Sequence, residues 1–175
     1  MPLLPGYLIA KRRDLIRRDV ARWASEMSVG RIPLLSLLAL PEFRSLFYHR
    51  LRHGGSAGRV FAFLARIIYR PQLGLQLKTV EIGPGLFIKH GQLTVLAART
   101  VGADCTIFHH VVVDAAEPNG GRPQIGSGVM LRTRAIVLGD VEVAEGAQVA
   151  AAAVVVDNVP PRTTVAGVPA RRIRG

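Results

Sequence analysis

Two histidines in the second half of the chain have the type and spacing of a candidate acid/base site. His90 comes two positions after Ile88, and His109 comes two positions after Ile107. Because an imidazole with its ordinary pKa of about 6.5 gains and loses a proton near neutral pH, a histidine pair could remove the proton from a substrate hydroxyl. The local sequence leaves three roles open for His90: a catalytic base, a metal ligand or a structural residue.

The elements around these histidines repeat with a period of six residues. Aliphatic residues recur at this step, with one gap inside an evident loop at residues 114–124: Val101, Ile107, Val113, Ile125, Leu131, Val137, Val143, Val149 and Val155. The pattern is typical of hexapeptide repeats, in which three short strands form one coil of a parallel β-helix and each coil covers the next. A sandwich of alternating strands requires a period of two and explains the pattern less well.

The predicted coils place the two histidines at equivalent positions. His90 and His109 are 19 residues apart, which is one coil plus the single residue that puts residues 82–88 out of phase. If this extra residue bulges outward, both histidines lie on one edge of the β-helix. Ser127 and Glu145 are then expected to continue the same column.

The first 77 residues have a different composition and predict a basic α-helical segment. They contain 13 Lys and Arg against 4 Asp and Glu, whereas residues 78–175 contain 10 against 8. The first helix is indicated by apolar residues at helical spacing, with arginines on the opposite face: Leu15, Ile16, Val20, Trp23 and Met27. Three more stretches indicate helices: IPLLSLLAL, PEFRSLFYHRLRH, which begins with Pro41, and GRVFAFLARIIYR. We therefore predict two regions, helices in 1–77 and a β-helix domain with a C-terminal tail in 78–175.

Two roles are open for the basic helices. They could pack on each other and on a partner subunit with their arginines solvated, or they could lie on an anionic membrane surface. His49 and His53, four positions apart in this segment, are interpreted as surface or packing residues. No nucleic-acid reader motif accompanies the charge, so nucleic acid is not an expected partner.

The remaining composition bears on the compartment. The one cysteine, Cys105, lies in an apolar run and predicts a buried, unreactive thiol. The N-terminus does not have the order of a signal peptide, and no apolar run reaches the roughly 18 residues of a membrane span. We expect a cytoplasmic protein whose basic helices could act at the inner face of the membrane.

Four segments resemble the serine acetyltransferase family, and in particular the related acetyltransferases of bacterial surface-polysaccharide loci. They are IGPGLFIKHG, CTIFHHVVV, GGRPQIGSGVM and VVVDNVPPRTTVAGVPARRI, and with PEFRSLFYHRL the resemblance covers about residues 41 to 173. It implies a left-handed parallel β-helix and a homotrimer with active sites between neighbouring subunits. It also implies acetyl-CoA as co-substrate, lying along the coils.

The same resemblance implies roles for particular residues. His90 matches the family histidine that removes the proton from the substrate hydroxyl, and His109 matches a second histidine that assists it or contacts the acceptor. Asp114 and Arg122, at the base of the loop, are expected to shape the acceptor site. Acetyl-CoA is expected to contact Arg132, Thr133, Arg134, Ala151, Ala152 and Arg171.

Several positions depart from the family pattern. Lys89 replaces the aspartate usual before the catalytic histidine, and Leu93 replaces the second glycine of that segment. Arg122 stands where the serine enzymes have a loop histidine, which favours a sugar hydroxyl over serine. The segment 132–134 replaces the Gly-Ala-Gly that lets the pantetheine arm approach the coil. Its arginines would either hold phosphates or block the groove.

The predicted function is a CoA-dependent O-acetyltransferase that acts on a sugar or other small-molecule hydroxyl in surface-polysaccharide biosynthesis. The alternatives are a non-catalytic or weakened member that works as a partner in the same pathway, and a serine O-acetyltransferase. A zinc enzyme of the γ-carbonic anhydrase kind, with three histidines as ligands, ranks last. His109 and His110 are adjacent in a predicted strand and should face opposite ways, so no metal site is expected.

Overall fold

In the part of the chain that the structure describes, four helices precede a stack of short strands. The structure is a computed structural model that describes residues 12–30 and 32–174. Within these residues the helices are α1 (Arg13–Glu26), α2 (Leu34–Leu37), α3 (Pro41–Arg52) and α4 (Ser56–Ile68). Residues 1–11 of the predicted basic segment lie outside the described residues. No helix of the described chain is long and apolar enough to cross a membrane.

The strands wind into three parallel sheets. They are β1 (Leu75–Leu77), β2 (Glu81–Ile82), β3 (Phe87–Lys89), β4 (Thr94–Leu96), β5 (Thr100–Val101), β6 (Thr106–Phe108), β7 (Val112–Asp114), β8 (Gln124–Ile125), β9 (Met130–Leu131), β10 (Ile136–Leu138), β11 (Glu142–Val143), β12 (Gln148–Val149), β13 (Val154–Val155), β14 (Thr164–Ala166) and β15 (Arg171–Arg174). Sheet A has the order β1-β4-β7-β10-β13, sheet B β2-β5-β8-β11, and sheet C β3-β6-β9-β12-β14-β15. Successive coils pair in parallel, and β15 runs antiparallel to β14.

The inward-facing positions of the coils carry the aliphatic residues that repeat with a period of six. All nine of them, from Val101 to Val155, are at most 3 % exposed. Small residues such as Ala135 and Ala147 are buried in the turns between strands. Because each apolar side chain stacks on its equivalents in the neighbouring coils, several coils are needed to cover the interior. The predicted β-helix preceded by helices is confirmed, as a parallel solenoid of about five turns.

The solenoid begins slightly before the predicted boundary at residue 78. Strand β1 pairs with β4, with Leu75 opposite Thr94, so residues 75–77 belong to the first coil and not to the helical region. The first coil has a neighbouring coil on one side only, and Leu75 and Leu77 are only half-buried. The six-residue pattern is therefore weak at this end.

The coils differ in length at two places. Ile88 pairs with Ile107, 19 positions later, and Ile107 pairs with Leu131, 24 positions later. The irregular turn in the first of these coils follows β3 and begins at His90, while the second coil contains the loop between β7 and β8. From Leu131 to Val149 the step is the regular 18.

A buried ion pair joins the helices to the first coil. Asp19 of α1 and Arg50 of α3 are 1 % and 2 % exposed, and Nε of Arg50 donates to Oδ2 of Asp19 over 2.9 Å. Arg50 also donates to the carbonyl oxygens of Ile82 and Gly83, and Asp19 accepts from the N–H of Gly85. The prediction that the arginines of this segment are solvated is wrong for Arg50. A charged side chain can be buried when each of its donors has an acceptor. Helical spacing alone does not reveal such acceptors, because they lie elsewhere in the chain.

The helices match the sequence pattern in part. Ile16 and Trp23 are buried as predicted, but Met27 is 43 % exposed because α1 ends one residue before it. Of the stretch IPLLSLLAL only Leu34–Leu37 is helical, whereas Pro41 is the first residue of α3, as predicted. The apolar run therefore predicts a longer helix than the single turn that forms.

His49 packs in the interior between α3 and the first coil. Its Nε2 donates to the carbonyl oxygen of Thr79 over 2.7 Å. Burial, more than the neighbouring positive charges, lowers the pKa of His49 to about 4. His53 lies beside it, with 4.6 Å between the ring centroids. Of the two predicted roles, His49 has the packing role, and its imidazole is neutral at pH 7.

Candidate active site

One corner of the solenoid, between sheets C and A, carries both candidate histidines. His90 follows β3 and His109 follows β6, and the pairing of Lys89 with Phe108 places them at equivalent positions of consecutive coils. We call the turns at this corner the histidine corner. They are residues 90–93, 109–111, 132–135 and 150–153.

The two imidazole rings lie close together on the outside of the coils. Their centroids are 6.2 Å apart, and the ring planes meet at 65°. His90 is exposed and His109 is half-buried. His90 has a backbone φ of +57°, which turns the chain out of β3 and into the irregular turn. The predicted pairing of the two histidines in one column is thus present, and it leaves a ring nitrogen of His90 accessible to a ligand.

His109 has the electrostatic environment of a neutral imidazole. Its Nδ1 is buried and has no hydrogen-bond partner within the described residues. Partial burial, followed by the positive fields of His110, His90 and Arg134, lowers the pKa of His109 below its usual value. At pH 7 this ring is therefore uncharged. It can accept a hydrogen bond from the substrate that receives the acetyl group, or donate one to it.

His110 lies beside His109 and not on the opposite face. The prediction assumed a strand at this point, but β6 ends at Phe108 and His110 adopts a left-handed φ of +60° in the turn that follows. The rings of His109 and His110 are 5.1 Å apart, and the N–H of His110 donates to the carbonyl oxygen of Gln92. The corner thus holds a third imidazole, and the alternation rule that excluded it applies only within strands.

Ser127 and Glu145 lie at a different corner, so the predicted column is wrong beyond the second histidine. Ser127 and Glu145 lie in the turns between sheets B and C. There the N–H of Gly146 donates to the carbonyl oxygen of Ser127. The reason is the 24-residue coil, because counting 18 positions across it arrives one strand too early. The positions that continue the histidine column are Thr133 and Ala151.

Five of the residues expected to contact acetyl-CoA follow the histidines along this corner: Arg132, Thr133, Arg134, Ala151 and Ala152. The N–H of Arg134 donates to the carbonyl oxygen of His109 over 3.1 Å, and the N–H of Ala152 donates to that of Thr133 over 2.9 Å. The side chains of Arg132 and Arg134 are exposed. The corner therefore runs from three imidazoles, past two guanidinium groups, to a turn of alanines.

Arg171, the sixth residue expected to contact acetyl-CoA, is elsewhere. It lies on β15, beyond the last regular coil, and its guanidinium donates to Oδ2 of Asp157 over 2.9 Å. A phosphate at Arg171 would have to compete with this carboxylate.

Asp114 and Arg122 meet at the base of the loop, as predicted, but at the corner between sheets A and B. Nη2 of Arg122 lies 4.0 Å from Oδ1 of Asp114, and Nη1 donates to the carbonyl oxygen of Ala97 over 3.4 Å. Sheet A separates this pair from the histidine corner. Within one chain, the structure does not bring the two groups of site residues together.

Two departures from the family pattern flank His90. Nζ of Lys89 lies 5.5 Å from the centroid of the Phe108 ring, a cation–π contact. Leu93 is 67 % exposed at a left-handed φ of +48°. A positive charge and an apolar side chain therefore border the position that a substrate hydroxyl would take at His90.

Within the described residues, neither a metal site nor a reactive cysteine is present. No cluster of three or more His, Cys, Asp or Glu side chains that could hold a metal ion occurs within residues 12–30 and 32–174. Cys105 is fully buried, as predicted, and its burial raises the pKa of the thiol to about 11. The thiol is therefore protonated and unreactive at neutral pH.

Comparisons with known proteins support the resemblance to serine acetyltransferases. No family model matches the sequence. The chain is 32 % identical over 166 residues to the serine acetyltransferase of Bacillus subtilis, covering 90 % of this chain and 75 % of that protein. It superposes on Neisseria gonorrhoeae serine acetyltransferase in complex with serine with a TM-score of 0.72 and 25 % identity, covering 92 % and 68 % of the two chains. It superposes on Brucella abortus serine acetyltransferase in complex with coenzyme A with a TM-score of 0.70 and 27 % identity. That superposition covers 93 % of this chain and 67 % of the other. The narrower resemblance to polysaccharide-locus enzymes receives no support.

Proposed function

The chain belongs to the serine acetyltransferase family, and we propose that His90 is the general base of its acetyl transfer. It is an acetyl-CoA-dependent O-acetyltransferase, like the relatives it matches. The observation that carries the proposed role is the histidine pair, with an exposed His90 and a neutral His109 whose ring centroids are 6.2 Å apart. A base must be accessible, uncharged before the reaction and supported by a neighbour.

The proposed step moves one proton and exchanges one bond. The unprotonated ring nitrogen of His90 takes the hydroxyl proton while the hydroxyl oxygen bonds to the thioester carbonyl carbon. The carbon–sulfur bond then breaks, and the proton on His90 passes to the departing sulfur, so that an acetyl ester and the CoA thiol form. The lowered pKa of His109 keeps it neutral, so it can bind the acceptor without repelling the imidazolium that forms on His90.

For the acceptor we propose the hydroxyl of serine, in place of the sugar hydroxyl expected from the loop sequence. The relatives carry the name serine acetyltransferase, and one was solved with serine bound. Lys89 borders His90, and Arg122 would reach the same site from a neighbouring chain in the trimer proposed below, so that either positive group could pair with a serine carboxylate. A neutral sugar hydroxyl is the second candidate, because Lys89 would repel the ammonium group of serine.

We further propose that the active site forms between subunits of a homotrimer. Asp114 and Arg122 lie at one corner of the coil and the histidines at the next, separated by sheet A. A neighbouring chain that presents its loop to the histidine corner would unite the two groups. On this arrangement Arg132 and Arg134 face the groove and hold phosphate groups of CoA, since a guanidinium binds phosphate through paired hydrogen bonds.

The test of the base is a set of three histidine variants at one corner. Asparagine is the substitution of choice because it tolerates the left-handed conformation of His90 and His110. His90→Asn should lower kcat with acetyl-CoA and serine by about 10²–10⁴-fold, and His109→Asn by a smaller factor. His110→Asn is the matched control and should retain most activity. If His90→Asn is as active as this control, the base is not His90.

The acceptor and the CoA groove are tested separately. Turnover of serine and of neutral sugars should be compared on the wild type, and a preference for sugars would favour the second candidate. Arg134→Asn should weaken CoA binding by about tenfold, because a hydrogen bond to a charged group contributes about 1.5–3 kcal/mol. Arg162→Asn, at a left-handed position of another corner, should leave CoA binding unchanged. A wild type that CoA does not stabilise against heat would indicate a non-catalytic member.

A further inference from the structure

Helix α4 presents an apolar face to the outside of the described chain. Its inner side is formed by Gly58 and Ala62, which are buried, with Phe61 and Ala65 packed partly against the core. The opposite side and the turn after it carry large apolar side chains that are 56 % to 79 % exposed: Val60, Phe63, Leu64, Ile67, Ile68 and Leu73. A surface helix ordinarily turns charged residues away from the core, whereas α4 is apolar on its outer side as well as on its inner side. We call these six residues the α4 apolar face.

The α4 apolar face is contiguous. Phe63, Ile67 and Leu73 line one shallow groove together with Arg66 and Arg70. Val60 and Leu64 extend the same side of the helix by a turn, since residues three and four apart are neighbours on a helix. A joined apolar surface of this kind marks an interaction site more often than scattered single residues do.

The border that residues 43–80 give to the face is basic. Arg59, Arg66 and Arg70 are exposed along it. Residues 43–80 contain seven lysines and arginines and no aspartate or glutamate. An occupant of this surface must therefore offer an apolar interior and a negatively charged rim.

We propose that the α4 apolar face docks on an anionic lipid bilayer. Phe63, Ile67 and their neighbours enter the boundary between head groups and acyl chains, and the bordering arginines bind lipid phosphates. The helix lies in the plane of the surface, because its 13 residues are too few to cross the bilayer. Charge complementarity favours lipid over a second copy that presents the same face. A second copy of the same face would bring arginine against arginine, with no carboxylate of residues 43–80 between them.

The test is sedimentation of the full-length protein with large vesicles. Vesicles of phosphatidylglycerol and phosphatidylcholine should bind the protein, and vesicles of phosphatidylcholine alone should bind it at least about tenfold more weakly. Raising the salt to about 0.5 M should release it, because exposed charges are then screened within a few ångströms. Equal binding to both vesicle types, or binding to neither, would overturn the proposal.

Two pairs of matched variants separate the apolar and the charged contributions. Phe63→Ser/Ile67→Ser should reduce binding to the anionic vesicles by about tenfold or more, whereas Val156→Ser/Ile173→Ser, which removes two exposed apolar groups of the solenoid, should not. Arg59→Gln/Arg66→Gln should reduce binding more than Arg162→Gln/Arg174→Gln, although both change the net charge equally.

The oligomeric state of the variants tests whether the face packs on a second copy of the chain. Size-exclusion chromatography with light scattering should give the same mass for the wild type and Phe63→Ser/Ile67→Ser. A smaller mass for this variant would show that the face packs on a second copy. Unchanged vesicle binding by it would show that the face does not dock on lipid.

Discussion

The helices and the solenoid of this protein share one apolar core, but the helices add buried charged and imidazole groups to it. The solenoid interior consists of aliphatic side chains stacked from coil to coil, each at most 3 % exposed. The helices α1 to α4, which we call the helical cap, are joined to the first coil by buried polar groups. These are the ion pair of Asp19 with Arg50 and the hydrogen bond from His49 to the carbonyl oxygen of Thr79. Trp23 adds a hydrogen bond to the carbonyl oxygen of Leu86.

The difference shows what each kind of interaction requires. An apolar stack tolerates small changes because every coil offers the same kind of neighbour. A buried charge requires particular partners in fixed positions, and the loss of one partner leaves the other without compensation. The cap should therefore be more sensitive than the solenoid to a single polar substitution and to pH.

The largest effect is expected from Arg50→Met. It leaves the Asp19 carboxylate buried without its partner, and the free energy of unfolding should fall by about 3–5 kcal/mol in urea denaturation at pH 7. The exposed pair of Arg18 with Asp104 is the control, and Arg18→Met should cost less than about 1 kcal/mol. Asp19→Leu/Arg50→Met should recover much of the loss, since an apolar pair needs no compensation. Equal stabilities of Arg50→Met and Arg18→Met would show that the buried carboxylate does not depend on its partner, and the proposed sensitivity of the cap would be wrong.

In the solenoid, Leu131→Ala should cost about 2–5 kcal/mol, the usual range for emptying a buried leucine site. Val156→Ala, on the exposed side of the last regular coil, should change the free energy of unfolding by less than about 0.5 kcal/mol. A loss at Leu131 comparable to that at the exposed valine would contradict the stacked interior.

The cap should also give the protein a pH-dependent stability. The pKa of His49 is about 4 in the folded protein and about 6.5 when unfolded, so the unfolded state binds the proton more readily. The stabilisation is complete above pH 6.5 and is lost as the pH falls from 6.5 towards 4, by about 3 kcal/mol. His49→Gln, which keeps a donor for Thr79, should flatten this part of the profile. An unchanged slope in His49→Gln would assign the pH dependence to other groups.

The smallest effect on stability is expected from shortening the loop. Deleting residues 116–121 removes the six residues by which this coil exceeds the regular 18. Because residues 116–121 are exposed, the free energy of unfolding should change by less than about 1 kcal/mol. Acetyl transfer should nevertheless be lost, because the loop shapes the acceptor site in the proposed trimer. A deletion variant with full activity would show that the loop has no such role.

The sequence was sufficient for the features that repeat locally. The period of six identified nine inward positions of the solenoid, each at most 3 % exposed, and strand β1 begins three residues before the change in composition at residue 78. The common spacing of His90 and His109 from their aliphatic neighbours predicted their pairing, because only one short coil separates them. Each of these inferences depends on residues within about one coil of each other, so the pattern of apolar and small residues is enough.

Features that depend on distant partners were decided by the tertiary structure. Thr133, and not Ser127, continues the histidine column, because the length of the loop shifts the register of every later residue. Arg50 is buried because Asp19 and two carbonyl oxygens of the first coil surround it, and no local pattern distinguishes it from the solvated arginines. The outward direction of the α4 apolar face follows from the small residues Gly58 and Ala62, which fit closely against the core. Hydrophobic periodicity shows that a helix has an apolar side, but only packing selects the side that is buried.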